Sequence, residues 1–252
     1  MPINGNAAQF LGIEFASASY QEVASEVGRL SERTHFSYIV TPNVDHALML
    51  NDKAPDPRVS DFRDAYASAY MRLCDSRILQ KLARLHGIKL EVVTGSDLTE
   101  YLFKNGLLAG KRIAIVGGDE GMVPSLEARF ANIDFIQHCP PMGVLGNEAA
   151  IEEIVNFLQT ENADVIFFAI GAPQSEIIAL KCLLAGQTRG VALCIGASIE
   201  FILGRKRRAP IWMRRLSLEW AFRLLSEPRR LWRRYLVEGP QIFVLAARWK
   251  RS

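Results

Sequence analysis

Metal-ligand spacings, clustered histidines and membrane-length apolar runs are all missing from this chain of 252 residues. Its four cysteines (Cys74, Cys139, Cys182 and Cys194) are scattered, with no CxxC pair and no histidine at zinc spacing, so neither a zinc site nor a disulfide framework is suggested. The four histidines (His35, His46, His86 and His138) share no spacing, so no metal is expected. No GxSxG elbow or Cys/His nucleophile signature is present. No apolar run reaches the roughly 18–20 residues that cross a bilayer. The longest, Val165–Gly171 and Ile242–Ala247, have the length of a core strand or a helix face. The opening MPINGNAAQF lacks the basic start and apolar core of a secretory signal, so a cytoplasmic protein is expected. Repeats and low-complexity segments are also absent.

What is present is charge, and it is segregated. Residues 205–252 hold fourteen Lys/Arg against three Glu, whereas residues 1–204 hold sixteen Lys/Arg against twenty-four Asp/Glu. An acidic body therefore carries a strongly basic tail, and such asymmetry points to an anionic partner. Within the tail, Trp212, Leu216, Trp220, Leu224 and Leu225 recur at helical spacing, with Arg214, Arg215 and Arg223 between them. Leu231, Trp232, Tyr235 and Leu236 follow Pro228. This pattern predicts a pair of arginine-rich amphipathic helices lying in a lipid headgroup layer. Two other readings compete: helices packed on their own domain with solvated arginines, or a grip on nucleic acid. The aromatics share a face with leucines rather than standing out as a stacking platform, which argues against nucleic acid.

The body alternates short apolar strands with helices of ten to fifteen residues. FLGIEF (10–15), SYIVTPN (37–43), MRLCD (71–75), KRIAIVGG (111–118), NIDFIQH (132–138), ADVIFFAIG (163–171) and GVALCIG (190–196) read as strands. Helices are expected at 20–33, after Asn43 or Asp45 as cap, at 61–69, 78–86, from 94–97 onward, 123–130, 147–159 and 174–184, with 51–60 as a polar turn. The fold class is α/β: a Rossmann-like, mostly parallel sheet with helices on both faces over residues 1–204, plus a basic amphipathic helical appendage over 205–252.

In such sheets ligands bind beyond the carboxyl ends of the strands. The polar residues there are Thr41, Asn43, Asp75, Arg77, Gly117, Gly118, His138, Gln174 and Ala197–Ser198. The glycines of IAIVGGDEG follow a strand as a phosphate loop would, but the spacing is GGxxG and no carboxylate ends the next strand. A phosphate-facing loop and a plain tight turn both remain open. Asp75 reads either as the cap of the next helix or as a chemical group in the cleft. Arg77 is placed to pair with it or with a phosphate.

TPNVDH (41–46), CDSRILQKLARLHG (74–87), VTGSDL (93–98), IAIVGG (113–118), PPMG (140–143), GAPQSE (171–176) and the tail RAPIWMRRLSLEWAFRLLSEPRRLWRRYL resemble, in order, the motifs of the WecG/TagA/CpsF glycosyltransferases. The resemblance runs over roughly residues 10–240. It implies an inverting, metal-independent enzyme without a cofactor, peripheral on the cytoplasmic membrane face. Such an enzyme moves a hexose-type sugar from a UDP-sugar to a polyprenyl-diphosphate-linked saccharide. It places the general base on Asp75 and the sugar pocket on Thr41 and Asn43. Arg77, Gly95, Ser96, Asp97, Gly117, Gly118, Pro141, Gly143, Gln174, Ser175 and Glu176 complete the implied substrate-binding set. The tail arginines Arg208, Arg214, Arg215, Arg223, Arg230, Arg233 and Arg234 are expected to meet diphosphate or membrane.

Three positions depart from the family pattern. Asp75 is followed by Ser76-Arg77 where many members have glycine, Val93 replaces an arginine, and Ser175 stands where glutamine is usual. The shorter Ser175 hydroxyl suggests a donor other than N-acetylmannosamine or its uronic acid, with glucose or another hexose in view. A catalytically weak scaffold of an assembly complex is the other reading that these departures leave. The exposed apolar face of the tail makes self-association an expectation.

Overall fold

The computed structural model describes residues 7–53 and 56–250. Six parallel strands form the central sheet: β3 (Ser37–Val40), β4 (Met71–Arg72), β5 (Arg112–Gly117), β6 (Asp134–His138), β7 (Val165–Ala169) and β8 (Val191–Cys194). Their order is β4-β3-β8-β7-β5-β6. The chain leaves β3 for the β4 edge, starts again at β5 and the β6 edge, and returns to the middle through β7 and β8. From β3 the chain leaves toward the β4 edge, whereas β8 is entered from β7, and a cleft lies over the carboxyl ends of these neighbours.

Successive side chains along the strands point to opposite faces, and both sets are apolar because helices cover both faces. Phe167 and Leu193 point to one cluster with Val23, Leu30, Leu98 and Leu102, from helices α1 (Tyr20–Ser31) and α5 (Gly95–Lys104). Phe168 and Ala192 point to the other with Phe62, Ile151, Ile154 and Ile178. These come from α3 (Pro57–Ser68), α7 (Glu148–Glu161) and α8 (Gln174–Ala185). Each fully buried Leu, Ile or Phe contributes on the order of 1.5–3 kcal/mol, so these two layers hold the central strands at whose carboxyl ends the site is built.

Local sequence explains the differences from expectation. FLGIEF is not one strand but a hairpin: β1 (Ala8–Phe10) and β2 (Ile13–Phe15) pair antiparallel around Leu11 and Gly12, both at positive φ. That backbone is the usual solution for a two-residue hairpin turn. α3 begins earlier than expected, because Pro57 takes the first helical position and the Asp56 side chain accepts from the Arg58 N–H. The expected helix pair of the tail is four short helices: α10 (Ile211–Arg215), α11 (Glu219–Ser226), α12 (Pro228–Arg233) and α13 (Gln241–Arg248). The remaining α-helices in chain order are α2 (Val44–Leu50), α4 (Arg77–Leu85), α6 (Met122–Glu127) and α9 (Ser198–Ile202), with a 3-10 turn at Val144–Gly146 and a π-helical turn at Arg234–Glu238 that follows α12. Ser217, at φ 65°, ends α10 in the left-handed region. Pro228 and Pro240 cannot donate the hydrogen bonds that would continue the helices before them.

The tail returns to the body. Ile242 and Ala246 of α13 are buried with Phe10, Ile13, Leu79 and Leu82. Trp249 stands edge-on to Phe10 at 5.1 Å and to His86 at 5.4 Å. Among the described residues no helix is long and apolar enough to cross a membrane.

Candidate active site

The turn after β3 is the foundation. Pro42 ends the strand ladder, and the Thr41 hydroxyl donates across the crevice to the Cys194 carbonyl at 2.9 Å, tying the ends of β3 and β8 together. Asn43 caps α2: its Oδ1 accepts from the N–H groups of Asp45 (3.0 Å) and His46 (3.5 Å). The amide nitrogen of Asn43 is left for other work.

Asp75 lies beside this turn. Its N–H donates to the Pro42 carbonyl at 2.9 Å, and the Val93 N–H donates to the Cys74 carbonyl at 3.0 Å, which brings the 94–97 segment alongside. The cap of α4 is Ser76, whose hydroxyl accepts from the Leu79 N–H at 3.2 Å. The capping bond is therefore made without Asp75, which leaves its carboxyl to the cleft.

Two cavities meet here. A cleft of about 1130 Å³ runs over the carboxyl ends of β3, β7 and β8, and its wall includes Thr41, His46, Gly118, Ser175, Glu176 and Ser198. A smaller cavity of about 380 Å³ lies between the body and the tail, walled by Val44, Ile78, Trp220, Tyr235, Leu236 and Phe243. Asn43, Asp45, Asp75, Arg223 and Arg234 lie on both. Asp75 thus stands at the junction of a polar and an apolar chamber.

Burial sets the protonation of this junction. Asp75 keeps some surface open to the cavities but lies deep among protein atoms, and desolvation pushes its carboxyl up to about 8. Arg223 is the main opposing charge. Glu176, almost wholly buried on the cleft wall, is pushed up to about 7 by desolvation, although the Ser175 hydroxyl donates to it at 2.9 Å. Both groups are carboxyls whose proton is exchangeable near neutrality, as expected of a working site rather than of a surface ion pair. His46 is the opposite case. Desolvation drives it down to about 3, so the imidazole bonded to the Tyr66 hydroxyl (2.9 Å) is neutral.

The tail supplies the cations. Arg234 pairs with Asp45, and Arg208 and Arg214 both pair with Asp97. Arg223 reaches Glu219 at 3.4 Å, Arg230 reaches Glu227 at 2.5 Å, and Arg233 reaches Glu238 at 3.2 Å. Arg215 is exposed. The Nε atoms of Arg214 and Arg234 and the Ser217 hydroxyl are buried without a hydrogen-bond partner, and all three residues line the small cavity. Buried donors left unpaired beside an apolar cavity are costly unless a ligand supplies acceptors.

The structure brings together Thr41, Asn43, Asp75, Ser96, Gly118, Ser175, Glu176, Arg223, Arg230 and Arg234 on the large cleft, and Arg77, Asp97 and Arg214 on the small cavity. Gly95 packs behind Thr41, where an added Cβ would come within 3.4 Å of the hydroxyl. Gly117 and Gly118 turn at φ 108° and 79°, and a Cβ on them would strike Ile170 and Met122. Internal packing thus accounts for both glycines, with Gly118 also at the cleft wall. Gln174, Pro141 and Gly143 lie outside both cavities, the last two exposed. Asp45, His46, Glu200 and Tyr235 also line the cavities, although none of them was among the expected site residues: Asp45 read as a helix cap, His46 as an isolated histidine and Tyr235 as part of the amphipathic tail, and no local pattern marks Glu200. The family model described as glycosyl transferase WecG/TagA/CpsF matches residues 8–252.

Proposed function

The chain belongs to the WecG/TagA/CpsF glycosyltransferase family, whose members act in cell-surface glycan synthesis, and on that premise we propose an inverting transfer from a UDP-sugar to a polyprenyl-diphosphate-linked saccharide. The observation that carries this reading is the place of Asp75, on the wall shared by a polar cleft and an apolar cavity. The cleft suits a nucleotide sugar, and the cavity suits the lipid-proximal part of an acceptor.

In the reaction an acceptor hydroxyl oxygen bonds to the anomeric carbon from the face opposite UDP. The bond from that carbon to the diphosphate oxygen breaks, and its electron pair leaves with UDP. The hydroxyl proton passes to the Asp75 carboxylate, a transfer by general base that contributes typically 10²–10⁴-fold, on the order of 3–5 kcal/mol. Thr41 and the free amide of Asn43 bind sugar hydroxyls. Arg223 and Arg234 face the charge that grows on the leaving diphosphate, where fixed cations in a partly desolvated site are worth most. The Ser175–Glu176 wall favours a neutral hexose, because a buried carboxyl next to a short hydroxyl disfavours a uronate.

The tail would hold the enzyme to the cytoplasmic face of the membrane. Ile211, Trp212, Leu216, Leu225, Trp232 and Leu236 are exposed among arginines, the composition of a helix that lies in a headgroup layer. Self-association is another way for this apolar surface to be covered off the membrane. The reading is tested by sugar transfer from a panel of UDP-hexoses and UDP-HexNAcs to a short polyprenyl-diphosphate acceptor. Donor-dependent product that disappears in Asp75→Asn supports it; product from no donor on any acceptor in the panel rejects it.

A further inference from the structure

The carboxylate of Asp97 is fully engaged inside the protein. Oδ1 accepts from Arg214 Nη1 at 3.0 Å and from Arg208 Nη2, and Oδ2 accepts from the Tyr20 hydroxyl at 3.4 Å. Its own N–H is held by the Thr94 hydroxyl, the cap of α5, at 3.1 Å. Around it, Arg208 also donates to Glu100 (2.6 Å) and to the Ser96 hydroxyl (3.1 Å). One turn of α5 thus grips two tail arginines that lie more than a hundred residues away in sequence, and all three charged partners are mostly buried. Burial alone would raise the Asp97 carboxyl, but the charge and hydrogen bonds of Arg208 hold it below its ordinary range. It is an ionised anchor.

We propose that Asp97 is a positioning residue that docks the basic tail on the carboxyl edge of the sheet, and so builds the acceptor-side cavity, rather than a ligand of sugar or nucleotide. Asp97 lines the small cavity and not the large cleft. By taking one terminal nitrogen of Arg214, it leaves the buried Nε of that residue, with the unpartnered Ser217 hydroxyl, beside the small cavity. Arg214, Ser217, Glu219 and Trp220 make the part of the tail side of this cavity that lies at and directly after the gripped segment. The docking part of this inference stands without the transferase reading; its kinetic part rests on that reading.

The experiment uses the full chain as Asp97→Asn, Asp97→Glu, Arg214→Gln and the double variant Asp97→Asn/Arg214→Gln. Amide hydrogen exchange over residues 208–226 reports docking independently of activity, and KM for donor and for acceptor are measured separately. In Asp97→Asn, tail exchange and acceptor KM should each rise about tenfold, with donor KM unchanged. Asp97→Glu should recover part of both. Adding Arg214→Gln to Asp97→Asn should cost much less than the two single effects combined, because contacting partners are not additive. A raised donor KM with unchanged tail exchange, or fully additive effects, would overturn the proposal. Should Asp97→Asn fail to fold, Arg214→Gln and Asp97→Glu probe the same contact. Should the parent protein transfer no sugar, the transferase reading falls while hydrogen exchange still decides the docking.

Discussion

The Asp75 N–H donates to the Pro42 carbonyl at 2.9 Å, so the main chain of the proposed base is pinned to the turn that presents Thr41 and Asn43. The proposed base and the proposed sugar-binding residues come from two strands and would otherwise drift independently. With the Thr41 hydroxyl fixed on the Cys194 carbonyl, the ends of β3, β4 and β8 form one rigid ledge. Errors of about 1 Å in such placement can cost ~10²-fold in rate, which gives the hydrogen bond a functional as well as a structural consequence.

Replacing the base isolates its chemistry from its packing. Asp75→Asn keeps the volume and removes the proton acceptor, so kcat should fall about 10²–10⁴-fold with donor KM little changed. Steady-state kinetics at saturating acceptor check this. An unchanged kcat would remove Asp75 from the mechanism.

The raised Asp75 carboxyl sets a pH profile with a definite sign. The base is active when ionised, so transfer should rise with pH and level off above about 8. Arg223→Gln removes the largest charge favouring ionisation and should move this limb to higher pH. Stability runs the other way. The folded state holds the Asp75 proton more tightly than the unfolded chain, so its contribution is complete below the ordinary carboxyl range near 3.8 and is lost as pH climbs through about 8. Asp75→Asn should therefore melt higher than the parent at pH 9, and the difference should vanish near pH 4. Melting curves at both pH values check the sign.

How much of this was legible depends on the distance over which each feature is encoded. The runs IAIV, VIFF and VALC are β-rich and apolar on both faces, so the parallel sheet followed from local composition. A cap at Asn43 or Asp45 was expected after Pro42, and it is Asn43 that makes the bonds. The hairpin inside FLGIEF was hidden because Leu11 adopts a positive φ that its side chain does not announce. The pairing of the Asp97 carboxylate with Arg208 and Arg214 was hidden because no local pattern links residues more than a hundred positions apart. Likewise Asp75 could not be separated from a cap until Ser76 was seen to make the bond.

The return of the tail to the body gives a stability prediction. Trp249 closes over Phe10 and His86, and with Ile242 and Ala246 it joins α13 to the hairpin and α4. Trp249→Ala should cost about 2–3 kcal/mol, below the ~3–5 kcal/mol of large aromatic truncations in a full core because the ring is only partly buried. Chemical denaturation gives the loss, and hydrogen exchange should locate it in residues 241–248 and the hairpin while the sheet centre stays protected.

The same anchoring bears on the membrane. Because α13 and the Asp97 contact fix both ends of the tail, the segment between them is presented as a surface and does not swing as a free arm. Its exposed Trp212, Leu216 and Trp232 would enter the headgroup layer while the basic side chains meet lipid phosphates. Arg215 and Arg229 are exposed, and each arginine near an anionic surface contributes about 1 kcal/mol, so Arg215→Gln/Arg229→Gln should weaken binding to anionic vesicles roughly thirtyfold. The loss should shrink at high salt, whereas the loss from Trp212→Ser/Trp232→Ser should not, because only the first is screened. Vesicle sedimentation across ionic strength separates the two. Binding insensitive to both pairs would place the membrane contact elsewhere on the protein.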